Sequence, residues 1–324
     1  MLPFMYDVII IGAGPAGCRT AELLAKEKKV LVIEEHSEIG KPVQCTGLIS
    51  SHLLKIHHDL PDSVVQNKIK TARFFTPNKT NFTLSVKKPA LVVNRAKLDS
   101  WLENKARKLG VKFKINTKFE KFTQLKNKIM VKTNKGDFEC RYLVGADGAL
   151  SKVREQMKMD FEYKQQIFSQ KTKSGKYKEE AELHFGGQYF NWIVPFSETQ
   201  ARIGGPSKEQ KFKGESGGVI RYGLLPTAQK ENIFLVGDAA LQVKPFSGGG
   251  VVYGQIGAQC LADAIICKKD YNHLWQAKLK WPIQKGLLFC RFYSLPNCLK
   301  NLCFEIVYRM RLEKILEKLD MDFY

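Results

Sequence analysis

The sequence predicts an α/β protein: a doubly wound, Rossmann-like parallel sheet, an antiparallel β-sheet inserted into it, and helices at the C-terminal end. Three observations point there. A glycine-rich turn, Gly12-Ala13-Gly14-Pro15-Ala16-Gly17, joins a short buried run to a helical one. Two later apolar runs end in the same way, at Gly145-Ala146-Asp147 and at Gly237-Asp238. Between them the pattern changes to short alternating runs broken by Pro, Asn and Gly, which is the mark of antiparallel strands.

Taken in order, Tyr6 to Ile11 reads as a buried strand, because Val8-Ile9-Ile10-Ile11 is a continuous apolar run too short for a buried helix. Cys18 to Lys26 reads as a helix with Ala21, Leu23, Leu24 and Ala25 turned inward, and Lys29 to Ile33 as a second buried strand. Together these are half of a βαβ unit, from which parallel sheets are built. Thr71 to Arg95 and Ala181 to Gly204 carry the antiparallel character, Leu98 to Leu109 is an amphipathic helix, and Tyr142 to Val144 is another buried strand. This order implies a discontinuous first domain from residues 1–67, 96–155 and 226–268. A β-sheet substrate or cap domain follows from 68–95 and 156–225, and a helical region from 269–324.

Composition narrows the function classes. The 324 residues carry 52 Lys and Arg against 32 Asp and Glu, and 44% are hydrophobic, so collagen-like, disulfide-stapled and disordered classes are excluded. No apolar run approaches the ~20 residues of a membrane span, and Met1 to Gly17 lacks the basic leader of a signal peptide. A cytoplasmic protein is the expectation. The eight cysteines contain no Cys-x-x-Cys pair, so a reduced compartment and no metal are expected. The scattered, mostly lysine surplus is not a nucleic-acid footprint.

The glycine-rich turn carries the first chemistry. It follows a strand, opens a helix, and is followed by Glu34 at the end of the next strand, which is the dinucleotide-binding fingerprint in full context. Gly12 permits the turn, Gly14 lets backbone N–H groups approach a pyrophosphate, and Gly17 lets helix pack on strand. Glu34, or its neighbour Glu35, would accept hydrogen bonds from a ribose, and an acid there disfavours a 2′-phosphate. FAD or NAD is therefore preferred to NADP.

Later segments choose FAD. Val144-Gly145-Ala146-Asp147-Gly148 through Arg154 resembles the Asp-Gly signature of flavoprotein hydroxylases and their relatives, and Ile233 to Ala240 resembles the segment in which Asp238 reaches the flavin's ribityl chain. Pro42-Val43-Gln44-Cys45-Thr46-Gly47 resembles the Pro-x-x-Cys-x-Gly motif of the geranylgeranyl reductase family, flavoenzymes that saturate isoprenoid chains of archaeal lipids and chlorophyll-type precursors. Arg95-Ala96-Lys97-Leu98-Asp99-Ser100-Trp101-Leu102 is similar to that family's Arg-x-x-x-Asp-x-x-Leu helix start. Tyr189-Phe190-Asn191-Trp192-Ile193-Val194-Pro195 is similar to its Tyr-x-Trp-x-x-Pro strand, with Phe190 in the place of the Tyr. Pro245 to Gly254 is similar to its Pro-x-x-Gly-x-Gly turn.

The resemblance implies contacts to FAD from Gly12, Gly14, Pro15, Ala16, Gly17, Glu34, Cys45, Thr46, Gly47, Arg95, Phe119, Asp147, Gly237, Asp238, Gly250 and Val251. It implies a substrate cavity at Trp192 and Pro195, and an isoprenoid lipid substrate. No second glycine fingerprint follows a strand, so the electron donor would be external: reduced nicotinamide, deazaflavin or ferredoxin, among which the sequence does not choose. An isoprenoid double bond is unactivated, so an acid must assist at one carbon, and Cys45, Tyr189 and Tyr253 are the conceivable acids or relays. The alternatives are a flavin-dependent monooxygenase or halogenase, because Phe190 to Pro195 also approaches the halogenase Trp-x-Trp-x-Ile-Pro stripe, and a shortened non-catalytic FAD-binding paralogue. His57-His58-Asp59 reads as a solvated loop, and His184 as a strand residue with its polar tip satisfied. From Asn297 to Leu319, apolar residues including Leu299, Leu302, Ile306, Met310, Ile315, Leu316 and Leu319 recur at helical spacing in a basic context, behind aromatic residues such as Trp281 and Phe292. Such a segment suits peripheral contact with an anionic membrane.

Overall fold

The structure, a computed structural model, describes residues 5–210, 213–310 and 322, the side chains of Val86 and Lys87 excepted. In chain order the elements are β1 (Tyr6–Ile11), α1 (Pro15–Leu24), β2 (Val30–Ile33), β3 (Leu48–Ile49), α2 (His52–Ile56), β4 (Val65–Phe75), β5 (Asn81–Val93), α3 (Arg95–Lys108) and β6 (Lys112–Lys114). Then come β7 (Phe119–Gln124), β8 (Ile129–Thr133), β9 (Gly136–Gly145), α4 (Lys152–Gln156), β10 (Tyr163–Ser174), β11 (Glu180–Phe185), β12 (Phe190–Pro195) and β13 (Gln200–Pro206). The last are β14 (Ser216–Gly223), β15 (Gln229–Lys230), β16 (Ile233–Leu235), α5 (Val251–Cys267), α6 (Tyr271–Phe289) and α7 (Asn297–Arg309). The chain forms two compact units, the first from Met1–Lys41, Ala96–Gln165 and Arg221–Gln284, the second from Pro42–Arg95, Gln166–Ile220 and Lys285–Tyr324. Residues 42–67, expected with the first domain, thus group with the second unit, and the expected helical region is divided at Gln284.

The first unit is the α/β half. Its sheet runs β15-β16-β9-β1-β2-β6, with the β7–β8 hairpin added to β9. β1 pairs in parallel with β2 and β9, β9 with β16, and β2 with β6. Val8, Ile9, Ile10, Leu31, Val32, Leu143 and Val144 are all buried, as strands covered on both faces require. The edge strand β6 presents Lys112 and Lys114 to solvent, which blunts it against further pairing. α1 starts at Pro15, ahead of the expected Cys18, because Pro at the first helical position lacks only an N–H that would go unbonded there.

The second unit is built on a second sheet, in the order β14-β10-β13-β12-β11-β4-β5-β3. β4 with β5, β11 with β12, and β12 with β13 are antiparallel, but β4 and β11 pair in parallel. The expected antiparallel sheet is therefore mixed. The parallel pair joins two meanders separated by a long stretch of chain, where no hairpin turn imposes an antiparallel neighbour. One face carries Phe185, whose ring lies 5.4 to 6.2 Å from those of Phe74, Phe190, Phe292, Tyr293 and Phe304. This hub seats Phe292 and Tyr293, from the 3-10 turn Cys290–Ser294, and α7 on the sheet, and Lys300 of α7 donates to the Gly187 carbonyl at 2.8 Å.

His57 is buried, contrary to the solvated loop expected, while His58 and Asp59 are exposed; the backbone N–H of His57 caps α2 by donating to Leu53, which turns the ring inward. His184 Nε2 donates to Glu182 Oε2 at 2.9 Å, and the ring stacks on Phe75 at 4.3 Å. Replacing Phe185 by Ala should remove the hub and destabilise the second unit by about 3–5 kcal/mol. Urea unfolding followed by tryptophan fluorescence measures it, and a loss below about 1 kcal/mol would contradict the packing described.

Candidate functional site

In the first unit four strands deliver their chemistry to one edge. β1, β2, β9 and β16 run parallel, so the residues that follow them, Gly12 to Gly17, Glu34, Asp147 and Gly237-Asp238, all emerge at the carboxyl end of the sheet. The last residues are in register, Ile11 opposite both Ile33 and Gly145, and Leu235 opposite Gly145. β1 lies between β2 and β9, which makes its end the switch point where open α/β sheets bind ligands.

The glycines fit the roles expected of them. Gly12 has φ +100°, and a Cβ there would overlap the Ala146 carbonyl; one at Gly17 would overlap the Gly12 carbonyl. At Gly14, in contrast, a Cβ would meet nothing within 4 Å. Gly14 is the N-cap of α1 and offers no side-chain cap, so the first N–H groups of the helix face open space suited to a phosphate. Glu34 Oε2 accepts the Ala13 N–H at 2.8 Å, and Oε1 takes the N–H and the ring Nδ1 of His36 at 2.9 and 2.6 Å. Glu34 is thereby turned toward the glycine turn, whereas Glu35 is exposed. Oε2, with a single bond, keeps a lone pair for a ribose hydroxyl.

The Asp147 and Asp238 segments are tied together by the last residue of the Asp-Gly motif, whose role the motif itself did not show. Arg154 is buried, and its Nη1 donates to the carbonyls of Asp238 and Ala239 at 3.2 and 2.8 Å, while Nη2 donates to that of Ala149. Burial pushes its guanidinium below the ordinary value, and the carboxylates of Asp147 and Asp238 oppose that shift. Asp147 itself accepts from the Ser151 hydroxyl at 2.6 Å and from the N–H groups of Lys152 and Val153, capping α4; burial pushes its carboxyl up against these bonds. Gly237 to Ala240 form a 3-10 turn, ended by Leu241 in the left-handed region. Gln242 and Tyr271 brace that turn: Gln242 accepts the Gly237 N–H at 2.8 Å and donates to the Tyr271 hydroxyl, which donates to Leu235. A Cβ on Gly237 would come within 2.7 Å of that of Ala16, and one on Gly250 would overlap Asp238 Oδ1. Gln255 of α5 donates to the Pro15 carbonyl at 2.8 Å. Val251 opens α5, Phe119 is buried at the start of β7, and Tyr253 is fully buried in α5.

In the second unit the Pro42 to Gly47 loop is held by its own strands. Gly47 has φ +84°, a Cβ there would overlap the Val93 carbonyl, and its N–H donates to Cys45 Sγ at 3.4 Å. Thr46 donates to Gln170 at 3.2 Å and its carbonyl accepts from Arg202. Cys45 and Arg95 are half-buried. Trp192 lies 5.5 and 6.1 Å from Phe168 and Phe190, filling the space that Gly204 leaves open, and the Pro195 carbonyl accepts from Asn67 at 3.0 Å. Tyr189 is 2% exposed, enclosed by Phe168, Phe190 and Tyr293, so its hydroxyl sits in packing rather than on a surface.

A family model of the FAD binding domain matches residues 5–184, more than half of the chain. The chain belongs to that family. It is an FAD-dependent oxidoreductase, and the glycine turn, Glu34 and the braced Asp238 turn are the residues of the first unit that fit the cofactor. Among curated relatives, an uncharacterised protein of Methanocaldococcus jannaschii is 29% identical, over 97% of this chain and 88% of its own length. The digeranylgeranylglycerophospholipid reductase of Methanosarcina acetivorans is 27% identical over 97% of this chain and 93% of its own. The geranylgeranyl diphosphate reductase of Rhodobacter capsulatus is 25% identical over 80% and 74%. Among solved structures, a geranylgeranyl bacteriochlorophyll reductase-like protein of Thermoplasma acidophilum superposes with TM-score 0.79 at 21% identity, covering 94% of this chain and 91% of that one. A flavin-dependent brominase gives 0.72 at 18% identity, covering 97% and 94%, so the fold is shared across chemistries.

Gly14→Asp should leave the fold intact, since its Cβ meets nothing, yet abolish FAD binding by placing a carboxylate where the pyrophosphate belongs. Glu34→Ala should weaken FAD by about 1.5–3 kcal/mol, the worth of a charged hydrogen bond. Flavin absorbance retained on the purified variants measures both, and a yellow Gly14→Asp protein would contradict the site.

Proposed function

We propose that this flavoprotein hydrogenates carbon–carbon double bonds in the isoprenoid chains of membrane lipids. What carries the reading is the likeness to archaeal digeranylgeranylglycerophospholipid reductases along 97% of the chain, together with an intact Pro-x-x-Cys-x-Gly loop whose geometry Gly47 fixes. Reduced FAD, when bound, supplies hydride. The protein must supply a proton to the other alkene carbon and keep water from the developing cation. Of the three conceivable acids, Tyr189 and Tyr253 are enclosed, whereas Cys45 is half-buried in a loop with its sulfur held by a backbone N–H. Cys45 is the proton donor in this reading. In the first unit Gly12 to Gly17, Glu34, Asp147, Asp238, Gly250 and Val251 would hold FAD; in the second, the family resemblance assigns Cys45, Thr46, Gly47 and Arg95 to flavin contacts and Trp192 and Pro195 to the lipid cavity. Electrons come from an external donor.

The protein incubated with dithionite and a geranylgeranyl lipid should give a product heavier by two hydrogens for each bond reduced, read by mass spectrometry. Cys45→Ser should lower the rate by about a hundredfold or more, on the order of what general acid catalysis contributes, with FAD retained. An unchanged lipid with a fully flavinylated protein would sink the proposal.

The proposal extends to an anionic membrane surface on the cytoplasmic side. Among the described residues no helix is long and apolar enough to cross a membrane. α7 nevertheless exposes Leu299, Leu302 and Ile306 in a row, followed by Met310, on the face away from Phe304; Ile315, Leu316 and Leu319 of the expected apolar stripe lie outside the described residues. Trp281 is 63% exposed in the first unit. Liposomes containing anionic lipid should float the protein at low salt and release it at high salt. Leu302→Glu with Ile306→Glu should abolish flotation without loss of FAD, and flotation that survives the double change would remove α7 from the proposal.

A further inference from the structure

Among the described residues, Arg202 on β13 meets groups that leave its charge unanswered. Its Nη1 donates to the Thr46 carbonyl, its Nη2 to Gln66 Oε1 at 3.2 Å, and its guanidinium lies 4.9 Å from the ring of Phe196. None of these is an anion. A partly buried arginine ordinarily faces a carboxylate, because a charge taken from water is costly unless it is paired. Burial pushes the Arg202 guanidinium below its ordinary value, and the ionisable group that opposes this shift is Cys45. Gly47 makes the approach possible, since a Cβ there would stand 3.0 Å from Nη1. The other side chains brought to this loop by neighbouring strands, Gln66 and Gln170, are uncharged, and β14 presents Gly218 to Gln44.

Resting on the reading of Cys45 as proton donor, we infer that Arg202 is its positioning residue, holding the loop through the Thr46 carbonyl and supplying the positive charge that the sulfur faces once its proton has left. In that step the Cys45 S–H bond breaks, the proton forms the new C–H bond at one alkene carbon, and the electron pair stays on sulfur beside Arg202. The hydride that reduces the other carbon comes from reduced FAD, and the sulfur recovers a proton from water. A purely structural arginine would fix the loop equally well with its charge directed elsewhere.

The test reads the sulfur directly, in the full-length, FAD-loaded protein without lipid. Iodoacetamide labelling of each cysteine is timed by peptide mass spectrometry, with the exposed Cys267 and Cys298 as internal references. Because the thiolate is the species alkylated, Arg202→Gln should slow labelling of Cys45 about tenfold relative to the references, and Arg202→Lys should restore most of it. With geranylgeranyl lipid, the Gln variant should lower kcat more than it raises KM. Labelling of Cys45 at the wild-type rate in a flavinylated Gln variant would overturn the inference. Should that variant lose its FAD, Arg202→Lys decides: labelling within about threefold of wild type supports the pairing, and a tenfold slowing overturns it. A protein that labels as expected but leaves the lipid unchanged would end the proposed activity and leave the pairing of Arg202 with Cys45 standing.

Discussion

The first unit depends on the near-contact of backbones where side chains are missing. Gly12 and Gly17 bring the β1 turn and α1 against each other and against Ala146, while Gly237 and Gly254 bring the fourth strand's turn and α5 against Ala16. No hydrogen bond could substitute for this, because a single methyl group at Gly17 would overlap a carbonyl oxygen. Once the segments are that close, a few buried polar groups suffice to fix them. Arg154 bridges one pair of turns, Gln242 with Tyr271 holds another, and Gln255 reaches the first residue of α1. These groups are costly to bury alone and rigid once satisfied, so the site's geometry is set before any cofactor arrives.

Much of this was legible in the sequence, and the reason is local. Strands β1, β2, β9 and β16 are apolar runs that end in glycine or an acid, and each signal lies within a dozen residues. Glycine spacing encodes a steric demand that no other residue meets. What was illegible depends on distant partners. Arg154 stood only as the last residue of a motif and Arg202 was not singled out, since nothing in the local pattern announces three carbonyls or a cysteine loop. His57 looked like part of a polar loop, yet the end of α2 turns it inward. The parallel pairing of β4 with β11 joins segments about a hundred residues apart, and hairpin logic cannot see it. Gln255 was an overlooked clue: it stands among apolar residues on the buried face of α5, where an amide needs a reason.

The second unit is organised by a different economy, rings rather than glycines. Phe185 gathers five aromatic neighbours from β4, β12 and the C-terminal segment, which is dense enough to hold an edge-rich mixed sheet together. The same cluster encloses Tyr189, which is 2% exposed and packs on Tyr293.

Lys300 gives α7 a character its apolar row alone would not have. An ammonium buried under its own helix, anchored to the Gly187 carbonyl and pushed down from its ordinary value by burial, cannot be withdrawn without stranding both groups. A helix tethered only by hydrophobic contact could peel away and insert separately. This one is riveted. Any surface that accepted Leu302 and Ile306 would meet the β11–β12 turn along with them, so α7 would act as part of its sheet rather than as a detachable arm.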